Sequence, residues 1–157
     1  ESQTNNNLYD DKSYYYITVQ GSDGKRIQNM TQPSGNSTLT LSTFDDHQFH
    51  ELDIVNIGKL GRQWYGEVFD INPEQEFTFN FPNIDTSTPI KLRINTASVA
   101  YTPTSFKVFA NGQDVGTMSF PALVQYSGIQ FYESALPSNT SFPSSETVKI
   151  KLSYNKK

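Results

Sequence analysis

The chain has 157 residues with a formal net charge of −4, and hydrophobic residues make up 35% of it. This length fits one domain with a full hydrophobic core. No run of basic residues is present that would neutralise a phosphate backbone, so we expect no nucleic-acid partner. The sequence contains no cysteine, which excludes disulfides, thiolate metal ligands and a cysteine nucleophile within these 157 residues.

The first third of the chain is rich in polar residues and turn formers. Residues 1–13 are polar and rich in asparagine, which predicts a tail outside the core. A strand is predicted over residues 14–20, and the glycine-bearing turn at 21–24 leads into a second strand over 25–30. Residues 37–42 alternate around two leucines and predict a third strand.

The second half of the chain carries the clearest strand patterns. Phe77, Phe79 and Phe81 alternate with polar residues, as expected for a strand with one buried face. Asn111 and Gly112 tolerate the positive φ angles of a two-residue type I′ turn and therefore predict a hairpin. Counting these, the predicted strands after residue 42 are 49–57, 63–70, 77–81, 90–94, 106–110, 113–120, 129–132 and 148–154.

Apolar residues nowhere keep a helical spacing over the length that a helix needs. The predicted fold is all-β, an antiparallel β-sandwich of jelly-roll or Greek-key type, because long connections around residues 82–89 and 133–146 favour such a route over a meander. We predict a single domain over residues 14–157. The alternative places a domain boundary near residues 58–61.

Ionisable side chains crowd together between residues 44 and 53. His47 and His50 face opposite sides of a strand, and the H-E-x-x-H order that brings two imidazoles to one helical face is missing. We therefore predict no metal and no cofactor. A calcium ion held by Asp45, Asp46 and nearby carbonyl groups is the alternative.

The stretch GRQWYGEVFD, residues 61–70, has the residue types of an active site or a sugar platform. Glu67 and Asp70 are three apart and point to opposite faces of a strand, so without a bend between them they do not form a glycosidase pair. A carboxylate partner elsewhere in the chain is the alternative. Trp64 and Tyr65 are adjacent and face opposite ways. Our preferred interpretation places Trp64 in the core, with Gly66 leaving room for it. No catalytic residue is predicted.

Two blocks carry a family resemblance. The order H-E-x-D-x-x-N is followed by G-R-x-W-x-G-E-x-F-D. Together they resemble the non-catalytic β-rich region that precedes the protease domain in PorU-type sortases of the bacterial type IX secretion system. The resemblance covers roughly residues 14–110, with a looser continuation. Its signature residues, which are also candidates for an interface, are His50, Glu51, Asp53, Asn56, Arg62, Trp64, Glu67 and Asp70.

The resemblance implies that a gingipain-like cysteine peptidase domain follows this region. That domain removes the C-terminal secretion signal of cargo proteins and joins the cargo to a lipopolysaccharide anchor. Because this chain has no cysteine, it does not contain the nucleophile and is expected to be a non-enzymatic N-terminal portion of an exported protein, in the periplasm or at the cell surface. The expected partners are the peptidase domain, secreted cargo or components of the secretion system.

Two other functions remain open. A carbohydrate-binding module shares this architecture and would need exposed coplanar aromatic rings to bind a glycan. The candidates for such rings are Tyr14, Tyr16, Tyr101, Tyr126 and Tyr132. A surface adhesion module would instead pair with its partner through an exposed edge strand.

Overall fold

The computed structural model describes residues 16–17, 19, 21, 23–32, 34–37, 39–59, 61 and 63–156. The chain divides into two compact units, Glu1–His47 and Gln48–Lys157. The predicted domain over residues 14–157, with its alternative boundary near 58–61, stays a prediction.

The first unit contains no strand within its described residues. The strand predicted over residues 25–30 is therefore wrong, as is the one over 37–42 at the positions described, whereas residues 14–20 lie largely outside them. Alternation stabilises a strand only when a partner takes its hydrogen bonds and a core covers one face. The large apolar side chains here are exposed instead: Tyr16, Ile17, Val19, Ile27, Met30, Leu39, Leu41 and Phe44.

Eight strands lie in the described part of the second unit, and every pairing between them is antiparallel. No helix occurs among the described residues, and hence none that is long and apolar enough to cross a membrane. The predicted all-β antiparallel class is confirmed. The strands are β1 (Glu74–Asn80), β2 (Ile90–Lys91), β3 (Asn95–Ser98), β4 (Thr104–Ala110), β5 (Gln113–Phe120), β6 (Tyr132–Ala135), β7 (Ser141–Phe142) and β8 (Thr147–Lys156).

The main sheet has four strands in the order β1-β8-β4-β5. Strands β4 and β5 form the predicted hairpin, whose turn residues Asn111 and Gly112 have φ angles of 48° and 82°. Positive φ at both central positions is the requirement of the type I′ turn that the sequence predicts. The last strand, β8, lies between β1 and β4 and hydrogen-bonds to both.

The two small sheets, β2 with β7 and β3 with β6, are parts of one interrupted ribbon. Between them the Leu92 amide donates to the Thr140 carbonyl at 3.0 Å, and the Leu136 amide donates to the Ile94 carbonyl at 3.1 Å. Between these two hydrogen bonds, residues 137–139 lie opposite a single residue of the other strand, so they form an insertion in the ladder. Pro137 also supplies no amide hydrogen for the ladder. This insertion ends the predicted strand 90–94 early, and the strand predicted at 129–132 is observed at Tyr132–Ala135.

One face of the main sheet is apolar and the other is charged. On the charged face, Lys149 binds Glu76 and Lys107 binds Asp114, each at 3.2 Å. On the apolar face, side chains of the ribbon join the same core cluster as those of the sheet, which is consistent with the predicted sandwich. The buried members of this cluster are Phe106, Val108, Ala110, Met118, Phe120, Leu136, Phe142, Val148, Ile150 and Leu152. The jelly-roll or Greek-key route stays a prediction.

A bulge in β5 brings the ribbon close to the sheet. Val108 pairs with Gly116, but the next residue, Phe109, pairs with Asp114, so Val115 is the extra residue. Gly116 has a φ of 152°, and a Cβ atom there would lie 3.0 Å from Leu136 Cδ2. Glycine therefore permits both the backbone conformation and the close contact.

The first test concerns the two faces of β5. Met118 is 1% exposed, and its sulfur accepts a hydrogen bond from the Thr96 hydroxyl at 3.4 Å. We expect Met118→Ala to lower the free energy of unfolding by about 2–5 kcal/mol, because it leaves a cavity in the core. Thr117→Ala, at the exposed neighbouring position, should change it by about 0.5 kcal/mol or less. Urea unfolding measures both variants, and equal losses would contradict this assignment of faces.

Candidate functional site

The signature residues that the structure describes lie on an irregular hairpin, residues 48–59, 61 and 63–70, which we call the signature hairpin. Among the described residues of this hairpin, one bridge joins Val55 and Tyr65, whose amides and carbonyls bond reciprocally at 2.8 Å. The Ile54 amide also donates to the Tyr65 carbonyl, at 3.0 Å, and two donors on one carbonyl mark a bulge. The long strands predicted over residues 49–57 and 63–70 are therefore wrong in extent, because the bulge interrupts the ladder.

In the second arm of the signature hairpin, residues 63–70, the buried face is the one predicted to be exposed. Phe69 enters the core, where its ring meets that of Phe106 edge-on at a centroid distance of 4.9 Å. Trp64 and Val68, on the other side of the arm, are 40% and 61% exposed. The placement of Trp64 in the core is wrong. A Cβ atom on Gly66 would lie 3.2 Å from the Leu52 carbonyl oxygen, so this glycine makes room for the opposite arm of the hairpin.

His50 and Glu67 come together across the signature hairpin. The His50 Nε2 and Glu67 Oε1 atoms lie 2.5 Å apart, and the side chains are 39% and 24% exposed. The His50 ring also packs on Phe77 of β1 at a centroid distance of 4.7 Å. Both are signature residues, and their pairing was not predicted because the sequence separation conceals it. Chemically, the pair joins the two hairpin arms to each other and to the main sheet.

Asp70 closes the base of the signature hairpin. Its Oδ1 accepts a hydrogen bond from the Lys156 ammonium group at 2.6 Å. This bond lowers the pKa of the Asp70 carboxyl group and raises the pKa of Lys156. Because the Asp70 pKa is lowered by folding, the stabilisation is present above the usual carboxyl pKa and is lost as the pH falls. The contribution is small, since both side chains are largely exposed and solvent screens their interaction.

The other predicted site residues do not join a common centre. Glu51 and Asp53 are exposed, and Asn56 is half-buried, with an Oδ1 atom that has no hydrogen-bond partner among the described residues. Arg62 lies outside the described residues, so its predicted place in an interface stays a prediction. Among the two aspartates proposed for calcium, Asp46 accepts a hydrogen bond from the His47 amide at 2.8 Å.

No group of three His, Asp or Glu side chains suited to hold a metal ion occurs among the described residues. The calcium alternative on Asp45 and Asp46 stays a prediction.

A polar cleft of about 290 Å³ lies between the second hairpin arm and the ribbon. At its centre the Tyr65 hydroxyl donates a hydrogen bond to Glu133 and accepts one from the Gln63 amide at 3.0 Å. Burial, followed by the bond to Glu133, raises the pKa of the Tyr65 phenol far above its usual value. The polar side chains that line the cleft are Gln63, Tyr65, Asn95, Thr96, Glu133 and Ser134.

The sequence did not reveal this cleft, because Glu133 falls in a predicted loop far from Tyr65. A second cleft, of about 350 Å³, lies between residues 86–89 and 141–144, and no charged side chain lines it.

Comparison with protein-family models, with curated proteins and with solved structures finds no match for this chain.

The second test concerns the ionisation of Tyr65. A pKa raised by folding means that the native state holds its phenolic proton more tightly, so the stabilisation is complete below the unfolded pKa and is lost as the pH rises beyond it. We expect the free energy of unfolding to fall more steeply above about pH 10 in the wild type than in Tyr65→Phe. Tyr126→Phe, at a position 95% exposed, is the matched control. Identical alkaline slopes for all three proteins would contradict the burial of this phenol.

Proposed function

We propose that this chain is a non-catalytic accessory domain of an exported, PorU-type cysteine peptidase of the type IX secretion system. The absence of cysteine assigns the peptidase nucleophile to another part of such a protein. The main support for this proposal is that signature residues distant in sequence bind each other or the main sheet. His50 meets Glu67 at 2.5 Å, and Asp70 meets Lys156 at 2.6 Å.

These contacts favour a scaffold over a catalytic centre. The Glu67 carboxylate is engaged by His50, and the His50 ring rests on Phe77, so both groups are used to brace the signature hairpin against the main sheet. A nucleophile beside this histidine is needed for triad chemistry, and no cysteine is available in the sequence to supply a thiolate. The proposal therefore places all peptide-bond chemistry in the domain that follows.

The exposed side of the signature hairpin is the proposed contact with that peptidase domain. Leu52, Ile54, Trp64 and Val68 are 43%, 59%, 40% and 61% exposed there. Aromatic residues with apolar neighbours are typical of interface centres. The ion pair between Lys156 and Asp70 holds the end of β8 at the base of this hairpin, so a domain that continues from β8 begins beside it.

The third test uses the longer protein that this proposal requires, with cargo processing as the readout. We expect deletion of residues 1–157 to change processing. In the intact protein, Trp64→Ser should slow processing roughly thirtyfold, because truncation of an interface anchor costs about 2 kcal/mol of association energy. Val124→Ser, at a position 65% exposed outside the hairpin, should leave it unchanged.

Circular dichroism of each variant separates lost contact from lost folding. Normal processing by a folded Trp64→Ser protein would remove the hairpin from the interface. An open reading frame without a downstream Cys and His domain would end the sortase proposal itself.

Glycan binding is the second candidate function, and the polar cleft favours it. Two amides, a carboxylate and a phenol are hydrogen-bonding groups that suit the hydroxyls of a neutral sugar, and the Tyr65 ring meets Phe131 edge-on at 6.3 Å. The tyrosines predicted to form a platform give less support. Tyr132 packs against the core, whereas Tyr16, Tyr101 and Tyr126 are exposed and Tyr14 lies outside the described residues.

The fourth test titrates this chain with neutral oligosaccharides by calorimetry. If the cleft binds them, Glu133→Gln should weaken binding roughly tenfold or more, because a hydrogen bond to a charged group contributes about 1.5–3 kcal/mol. Asn155→Ala, at an exposed position on β8, should have no effect. Saturable binding that Glu133→Gln leaves unchanged would place the sugar outside the cleft. Titrations that release or absorb no heat with any of the oligosaccharides would count against this function.

Adhesion through an edge strand has less support. Strand β5 is one edge of the main sheet, but the bulge at Val115 interrupts its ladder. Bulges are one of the features by which proteins protect edge strands from pairing.

A further inference from the structure

The turn between β4 and β5 joins an asparagine to a glycine, and this dipeptide has a chemistry of its own. When the backbone nitrogen of the glycine attacks Cγ of the asparagine, a five-membered succinimide forms and ammonia leaves. Glycine permits this attack because it has no side chain to obstruct its nitrogen. Asn111 is the only asparagine in the sequence that precedes a glycine.

The fold holds both atoms of the Asn111 side-chain amide. Its Oδ1 accepts a hydrogen bond from the Lys149 amide at 2.8 Å, and its Nδ2 donates one to the Ser145 hydroxyl at 2.8 Å. The Asn111 backbone amide also donates to the Lys149 carbonyl, at 2.9 Å. Together these three bonds hold Asn111 against the beginning of β8. They oppose the side-chain rotations that would bring its Cγ atom to the Gly112 nitrogen.

We propose that Asn111 is a deamidation site that the native fold protects and that opening of the beginning of β8 exposes. In the reaction, a bond forms between the Gly112 nitrogen and the Asn111 Cγ atom while the bond from Cγ to Nδ2 breaks. Water then opens the succinimide at either carbonyl, giving aspartate or isoaspartate. The net change is one amide and one water converted to one carboxyl group and one ammonia, with no oxidant, metal or enzyme.

The product disturbs the contact that protected the substrate. The Ser145 hydroxyl already donates to the Thr147 carbonyl at 2.6 Å, and it accepts from Asn111. A carboxylate at position 111 has no proton to donate, so the one hydroxyl proton of Ser145 can bond either this carboxylate or the Thr147 carbonyl, but not both. Isoaspartate adds a backbone carbon to a two-residue turn and breaks its geometry. Each deamidation event therefore loosens the junction between the hairpin and β8.

The experiment incubates the 157-residue chain at mildly alkaline pH, folded and in urea that unfolds it. Peptide mapping by mass spectrometry follows aspartate and isoaspartate at position 111 over time. We expect Asn111 to react roughly tenfold or more slowly in the folded chain, because reaction requires local opening. Asn36, exposed and followed by Ser37, is the internal reference and should react at similar rates in both states.

Ser145→Ala tests the protecting bond itself. Loss of one hydrogen bond costs about 1 kcal/mol, so the open population and the rate at Asn111 should rise roughly fivefold in the folded variant. Ser119→Ala, exposed on β5, is the matched control and should not change the rate. Equal rates at Asn111 in folded and unfolded wild type would overturn the proposal, whether or not the variant folds. Folded Ser145→Ala with an unchanged rate would also overturn it, since the protection would then not depend on this bond.

Discussion

The pairing of β8 on both of its edges is the constraint on which the second unit depends. Phe77 of β1 pairs with Ile150 on one side, and Ala110 of β4 pairs with Ile150 on the other. Without β8, the hairpin of β4 and β5 shares no strand partner with β1. The last described strand along the chain is thus one of the two interior strands of the sheet. Such non-local pairing requires closure of long loops before any hydrogen bond forms, which slows folding.

The same strand also positions the chemistry at its two ends. At the beginning of β8, the backbone of Lys149 holds the Asn111 amide, and at the other end Lys156 holds Asp70. The signature hairpin is therefore attached to the sheet by its base, by the contact between Phe69 and Phe106, and by the stack of His50 on Phe77. Signature residues thus contribute to the attachment of this hairpin to the sheet.

Local chemistry determines which parts of the fold were predictable from sequence. Asn111 and Gly112 specify their own turn, and the alternation around Phe77 and Phe79 survives because β8 supplies both a hydrogen-bond partner and a core. Trp64 was placed wrongly because alternation predicts that neighbours face opposite ways without saying which face is buried. The contact of Phe69 with the core determines which face of this arm is buried.

The site shows the same limit. The pairs of His50 with Glu67 and of Tyr65 with Glu133 depend on how separate segments are packed, and no local pattern encodes those distances. Residues 25–30, and 37–42 where described, carry alternation without a described partner strand, so their patterns predicted strands that are not observed.

The charged face of the main sheet has a consequence for association. Phe109 lies on this face near the turn end of β4, with the ammonium groups of Lys107 and Lys151 at 5.8 Å and 5.1 Å from the ring centre. A sheet face that carries a half-buried aromatic ring can stack against a second sheet. Here such stacking would strip water from both lysines and their carboxylate partners, a cost that exposed ion pairs do not recover. The two lysines therefore act as gatekeeper residues, because they disfavour aggregation through this aromatic strand.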